Sequence, residues 1–307
     1  MTYETYIIRS IVSRKPIELE YIPETLIGQA KKNKVLYVLG LNDSRIRKTE
    51  AWMELEMRRI VQRKSIIEAS ELAEKLGIRI LVIKTLKPFN YVPDDVDILV
   101  IDDEDLRSFV NALLKRGYFI RKKGTSEITL RRIVSNTFVD LDIHTKMGAG
   151  PYEYLDKYYL WQRRVYRKLD GESIATPNDV DELLITVAHA ILKEFTVTLA
   201  DIMHVISSTS FDRKIIYEAT LQAKHVGLSK SLRYLLNLAY QTYVYSFKIC
   251  RVDAPNFPHK VPILVIIDAY LENLRHRFKM QGLKPIKELL KAPSSKGIAT
   301  LLRYVGI

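Results

Sequence analysis

The chain has 307 residues, a formal net charge of +12 and a sequence isoelectric point near 9.5. A single cysteine, Cys250, excludes an internal disulfide framework and suits a reducing interior. The most apolar stretch, residues 261–271, is too short to span a bilayer, so we expect a soluble, cytoplasmic protein. A basic surface attracts phosphates, which favours an anionic partner or substrate; a well-solvated basic surface is the alternative.

The first part of the chain is predicted to be helical and to lead into a sheet. Apolar residues recur at helical spacing up to Gly77, a residue type that commonly ends helices. Short apolar runs before and after Pro88 and Pro93 have the length of buried strands. The elements predicted here are helices over 24–39 and 46–76 and strands over 78–83 and 96–101.

Three further strands are predicted after a helix that stops before Gly117, over 118–122, 127–134 and 137–144. Ser135-Asn136 is a two-residue hairpin signal, and residues 148–151 form a loop signal beyond which the chain is predicted to be helical. The prediction is a mixed α/β (α+β) fold with a small mixed sheet. Its regions are an N-terminal helical region (1–64), an α/β core (65–150) and a helical C-terminal domain with a basic tail (151–307).

Two pairs of aspartates lie on the predicted strands: Asp95 with Asp97, and Asp140 with Asp142. Because a strand alternates its faces with period two, each pair projects from one side of its strand. If the two strands are neighbours, three or four carboxylates converge and repel one another unless a cation lies among them. Hard divalent cations take oxygen ligands, so the pattern predicts a metal site. For Asp95 and Asp97 alone, an edge strand with a solvated acidic face is the alternative.

A carboxylate cluster beside a basic surface is typical of two-metal phosphoryl transfer. Two cations that share carboxylate oxygens activate an attacking hydroxyl and stabilise the leaving phosphate. The protein contributes mainly position and charge to such a reaction. Two-metal phosphoryl transfer is therefore the leading candidate reaction.

The spacing of these residues resembles the nucleotidyltransferases related to DNA polymerase β. Their pattern is a Gly-Gly or Gly-Ser at a strand end, a spacer, Asp-h-Asp (h, hydrophobic), and a third Asp on a later strand. Here Ile83-Lys84-Thr85 precedes the spacer, Asp95-Val96-Asp97 follows it, and Asp142-Ile143-His144 is similar to the Asp-Leu-His of a poorly characterised branch. The resemblance spans roughly residues 65–245.

The resemblance implies transfer of a nucleoside monophosphate from an NTP, with ATP expected, to an acceptor hydroxyl, with Mg²⁺-dependent release of pyrophosphate. Asp95 and Asp97 would hold the metals, and Asp142 would complete the site and help to deprotonate the acceptor. Asp140 is the alternative third carboxylate. Either choice places the catalytic and metal-binding residues on the same two strands.

The chain departs from the family pattern where Lys84-Thr85 replaces Gly-Ser. Lys84 could pair with phosphate oxygens, Thr85 keeps a hydroxyl, and Arg131 is expected to contact the nucleotide as well. The loss of glycine removes a close backbone approach to the triphosphate. It favours an alternative, a catalytically degenerate protein that binds nucleotide or RNA. A toxin-like transferase that modifies tRNA or a protein hydroxyl is a third possibility.

The C-terminal segment 271–307 concentrates positive charge, with eight Lys or Arg residues against two Glu residues. Lysines and arginines that neutralise backbone phosphates release counterions and bind nucleic acids in this way. We therefore expect this segment to contact RNA, with tRNA as one possible acceptor. The alternative for the segment is a solubility feature.

Overall fold

A computed structural model describes residues 3–124, 126–134, 137–149, 152–246, 256–285 and 287. They form two compact units. Unit one is drawn from residues within 1–56, 87–92 and 186–275, and unit two from residues within 57–86, 93–185 and 276–307. The division predicted by chain order, at residues 64 and 150, stays a prediction.

The elements in chain order are as follows. The helices are α1 (Tyr3–Ser13), α2 (Glu24–Lys32), α3 (Leu36–Asn42), α4 (Ser44–Arg47), α5 (Glu50–Leu76), α6 (Asp105–Leu114), α7 (Lys157–Gln162), α8 (Asp179–Ala188), α9 (Leu199–Thr209), α10 (Arg213–Val226), α11 (Ser229–Ser246) and α12 (Ile263–Gln281), with a π-helical turn at His189–Lys193. The strands are β1 (Ile80–Ile83), β2 (Val96–Val100), β3 (Phe119–Lys123), β4 (Glu127–Val134), β5 (Thr137–His144), β6 (Met147–Ala149), β7 (Tyr152–Leu155), β8 (Val165–Leu169), β9 (Glu172–Thr176), β10 (Thr196–Val197) and β11 (His259–Lys260).

Unit two contains a five-stranded mixed sheet in the order β1-β2-β5-β4-β3. β2 and β5 run parallel, and the other neighbours are antiparallel. One face packs on the unit-two part of α5 and on α6 through buried side chains such as Ile98, Leu141, Ala69 and Phe109. Successive side chains of a strand point to opposite faces, so Asp97 and Asp142 lie on the face away from these helices. The predicted mixed α/β fold is confirmed.

Unit one is mainly helical, and in it one span that was predicted as a single helix forms two helices. The span 24–39 breaks into α2 and α3 around Asn33 and Lys34. Lys34 has a φ of 59°, in the left-handed region that ends helices. The buried Asn33 amide donates to the carbonyls of Gln29 and Phe257. The helical spacing of apolar residues cannot reveal this break, because the hydrogen bond from Asn33 to Phe257 joins segments that are far apart in the sequence.

The prediction that everything beyond residue 151 is helical is wrong. Strand β7, which pairs antiparallel with β6, and the antiparallel hairpin β8–β9 lie in this part of unit two. The turn of the β8–β9 hairpin is Asp170-Gly171, with φ values of 51° and 95°. Asp-Gly supplies the positive φ angles of a two-residue hairpin, so this signal was present in the sequence.

Some predicted features lie outside the described residues. They are Ser135-Asn136, the Gly150-Pro151 part of the loop signal, Cys250, and most of the basic segment 271–307. Among the helices that the structure does describe, none has both the length and the apolar character that a bilayer crossing requires.

Candidate active site

The parallel pairing of β2 with β5 places Asp97 directly opposite Asp142. His144, two residues further along β5, lies on the same face. One ligand atom each from Asp97, Asp142 and His144 lie within 4.8 Å of one another. Within the described chain, the register of these two strands thus gathers one carboxylate from each predicted Asp pair, with an imidazole beside them.

Lys84 places an ammonium group against this cluster. Its Nζ lies 2.5 Å from Asp97 Oδ1, and His144 Nε2 lies 2.7 Å from the same oxygen. The side chains of Lys84 and Asp97 are only 14% and 7% exposed. Burial opposes both charges. The neighbouring carboxylate nevertheless raises the pKa of Lys84, and the ammonium together with His144 lowers the pKa of Asp97. The pair therefore stays ionised.

The backbone at Lys84 keeps a conformation that suits glycine. Its φ is 56°, in the left-handed region, which costs a residue with a Cβ about 1–2 kcal/mol. This is the position at which the resembling transferases carry glycine. The lysine therefore departs from the pattern in its side chain, while the local backbone remains one that glycine would adopt.

Thr85 connects the end of β1 to the start of β2. Its hydroxyl donates to the carbonyl of Ile83 at 2.9 Å and accepts from the backbone N–H of Asp97 at 3.1 Å. The side chain is buried. The structure thus shows Thr85 fixing the backbone of Asp97, and its predicted contact with nucleotide stays a prediction.

We expect Thr85→Val to destabilise the protein by about 1–3 kcal/mol, because it leaves a buried N–H and a buried carbonyl without their hydroxyl partner at nearly unchanged side-chain volume. Thr85→Ser is the matched control, since it keeps the hydroxyl. Urea denaturation of the two variants measures the difference. Equal stability of Thr85→Val and the parent would contradict this role.

Asp95 and Asp140 are placed differently from Asp97 and Asp142. Asp95 lies in the bend before β2, is half-buried and acts electrostatically on Lys84, but it is not a member of the described three-residue group. Asp140 is buried and contacts Arg121 at 2.6 Å and Arg131 at 2.7 Å. Of the two carboxylates on β5, Asp142 is therefore the one positioned beside Asp97.

Arg131 is held in place by two contacts. It donates two hydrogen bonds to Asp140, and its guanidinium lies 4.0 Å from the centroid of the Phe138 ring. The hydrogen bonds to Asp140 raise the pKa of Arg131. A role for Arg131 at the nucleotide stays a prediction. Tyr154, which lies in the span predicted as helix, is on strand β7 and also acts electrostatically on Lys84.

Asp142 carries the clearest sign that the site suits a metal ion. Its Oδ1 is buried and has no hydrogen-bond partner among the described residues. A buried polar atom of this kind usually has a partner, and a carboxylate oxygen is a ligand that Mg²⁺ prefers. Two carboxylates and an imidazole fit a divalent cation, with Asp142 supplying a free oxygen.

Residues 92–243 match a family model described as an uncharacterised nucleotidyltransferase. This match assigns residues 92–243 to a nucleotidyltransferase family. The matched segment contains Asp95, Asp97 and Asp142, whereas Lys84 and Thr85 precede it. The predicted family resemblance is therefore confirmed, and family membership supports a general nucleotidyl transfer function.

One solved structure to which a search finds similarity is that of an antigenic nucleotidyltransferase-like protein from Paracoccidioides brasiliensis. It has 13% sequence identity and a TM-score of 0.38, and the alignment covers 56% of this chain and 92% of that one. No curated protein matches this chain.

Proposed function

We propose that the protein transfers a nucleoside monophosphate from an NTP to an acceptor hydroxyl, with release of pyrophosphate. The observation that carries this proposal is the placement of Asp142 opposite Asp97, where the buried Asp142 Oδ1 has no hydrogen-bond partner among the described residues. The match to a nucleotidyltransferase family model supports it. ATP as the donor, RNA as the acceptor and a cytoplasmic location stay predictions.

Asp97 and Asp142 would hold Mg²⁺, and Asp95 would add negative charge at the edge of the site. When bound, the metal stabilises the negative charge that develops on the transferred phosphate and makes a hydroxyl more acidic. Asp142 would also help to deprotonate the acceptor hydroxyl, as the family resemblance implies. Thr85 fixes the backbone of Asp97, and His144 orients its carboxylate.

Lys84, which contacts Asp97, would also contact the nucleotide. An ammonium group has three N–H donors, and the structure shows one carboxylate, Asp97, at bonding distance. The remaining donors could bind phosphate oxygens, which is the contact predicted for Lys84. Such a contact would help to orient the triphosphate for attack at its α-phosphorus.

Labelled NTPs test the proposal. The parent protein, with Mg²⁺, is incubated separately with cellular RNA, protein and small-molecule pools, and label transfer and pyrophosphate release are measured. We expect label in one pool together with pyrophosphate, and neither in the Asp142→Asn variant. Nucleotide binding without transfer to any pool would contradict the enzymatic proposal.

A second candidate is a catalytically degenerate protein that keeps the fold in order to bind nucleotide or RNA. The ion pair between Lys84 and Asp97 favours it, because an ammonium lies on a carboxylate that would otherwise bind metal. Calorimetry distinguishes the two. The degenerate protein would bind ATP equally well with Mg²⁺ and with EDTA, whereas the transferase would bind ATP more tightly with Mg²⁺.

A further inference from the structure

We propose that Lys84 replaces one of the two divalent cations of a two-metal site, so that this active site binds a single metal ion, through Asp142 and Asp97. The inference rests on the proposed function and concerns the composition of the same site. The ammonium of Lys84 would bridge Asp97 and the nucleotide as a metal ion would. This role goes beyond the predicted contact between Lys84 and a phosphate.

The hydrogen bonds of Asp97 leave little room for a second metal ion on its carboxylate. Two-metal sites hold both ions on shared carboxylates, about 4 Å apart. Here one oxygen of Asp97, Oδ1, already contacts Lys84 Nζ at 2.5 Å and His144 Nε2 at 2.7 Å. A metal ion on that oxygen would have to displace both groups. Asp142 Oδ1, by contrast, has no hydrogen-bond partner in the described chain. The carboxylate oxygens that are not hydrogen-bonded to Lys84 or His144 therefore leave room for one ion, next to Asp142.

The charges of the site agree with one ion. Before a nucleotide binds, three carboxylates, from Asp95, Asp97 and Asp142, face one ammonium, and these four groups together carry two negative charges. One divalent cation neutralises them. A second cation beside Lys84 would place like charges a few ångströms apart in a largely buried site, where screening by water is weak. The ammonium therefore disfavours a second metal by repulsion as well as by occupying the oxygen.

The backbone of Lys84 supports a positional role for its ammonium. The residue holds a φ of 56° that glycine would adopt with less strain. Its side chain nevertheless turns back onto Asp97 and is 14% exposed. Lysine is a compact point charge with several donors, so it can hold a carboxylate and a phosphate oxygen at once. A divalent cation makes the same bridge in a two-metal site.

Manganese binding tests the inference. Mn²⁺ is titrated into the parent and into Lys84→Met, each with a non-hydrolysable ATP analogue, and stoichiometry is read by calorimetry and by electron paramagnetic resonance. We expect one Mn²⁺ per parent chain with an isolated-ion spectrum. Lys84→Met should bind two, with the spin coupling of ions about 4 Å apart. Lys84→Arg, which keeps the cation, is the matched control and should remain at one.

Lys84→Gly is a second variant, because it removes the ammonium and relieves the positive φ. Two Mn²⁺ ions in both Lys84→Met and Lys84→Gly would assign the effect to the lost charge. Two ions in the parent, or one ion in the parent and in both variants, would overturn the replacement while leaving the transferase proposal in place. No Mn²⁺ bound to any of these proteins would overturn the metal site itself and the inference with it.

Discussion

Asp142→Asn should lower nucleotide transfer by about 10³-fold or more and leave the protein folded. A metal ion contributes several kcal/mol to transition-state stabilisation, and each 1.36 kcal/mol corresponds to a factor of about ten in rate. The buried Oδ1 of Asp142 makes no hydrogen bond within the described structure, so the substitution breaks none there. It also removes a negative charge from beside Asp97. We therefore expect an unchanged or higher melting temperature without metal.

Asp140→Asn is the matched control for Asp142→Asn, since it removes a carboxylate from the same face of the same strand. Asp140 contacts Arg121 and Arg131 rather than the Asp97 cluster. We expect its variant to retain metal-dependent transfer and to lose stability, because two arginines lose their buried partner. Initial rates and thermal melts of both variants make the comparison. The reverse pattern would assign the third carboxylate to Asp140.

Asp97→Asn should have the opposite effect on stability and destabilise the protein by about 3–5 kcal/mol, the cost of removing one partner of a buried ion pair. It leaves the Lys84 ammonium, 14% exposed, without its carboxylate. Urea denaturation at pH 7 measures this loss. The double variant Asp97→Asn/Lys84→Met should recover part of it, because it removes the unpaired charge. A melting temperature equal to that of the parent would contradict a stabilising ion pair.

The pH dependence of this stabilisation follows from the pKa of Asp97. Burial raises that pKa, but Lys84 and His144 outweigh burial and lower it below the ordinary value of 3.8. A group with a lowered folded-state pKa stabilises fully above its unfolded pKa and loses the effect as the pH falls towards the folded value. The stability difference between the parent and Asp97→Asn should thus be constant from about pH 5 to 8 and shrink below pH 3.8. Urea denaturation across this range measures it.

Local features of the sequence carried the prediction of the fold and of the carboxylate pairs. The two-residue alternation along β2 and β5 places Asp97 and Asp142 each on one face of its own strand, whatever the partner strand is. Apolar runs and glycine stops likewise marked β1, α6 and the end of α5. The Asp170-Gly171 turn is a local hairpin signal of the same kind, whereas the prediction for residues 151–307 is helical throughout.

Pairing between distant segments decided the rest. Asp140 and Asp142 are equivalent by alternation, and only the strand register separates them: Arg131 lies opposite Asp140, and Asp97 lies opposite Asp142. Lys84 contacts Asp97 because β1 and β2 are antiparallel with Ile83 opposite Asp97. The sequence by itself thus determined which residue types the site contains. The tertiary structure determined which carboxylate lies against an ammonium and which has an oxygen without a hydrogen-bond partner among the described residues, because a charge acts on whatever the fold brings within a few ångströms of it.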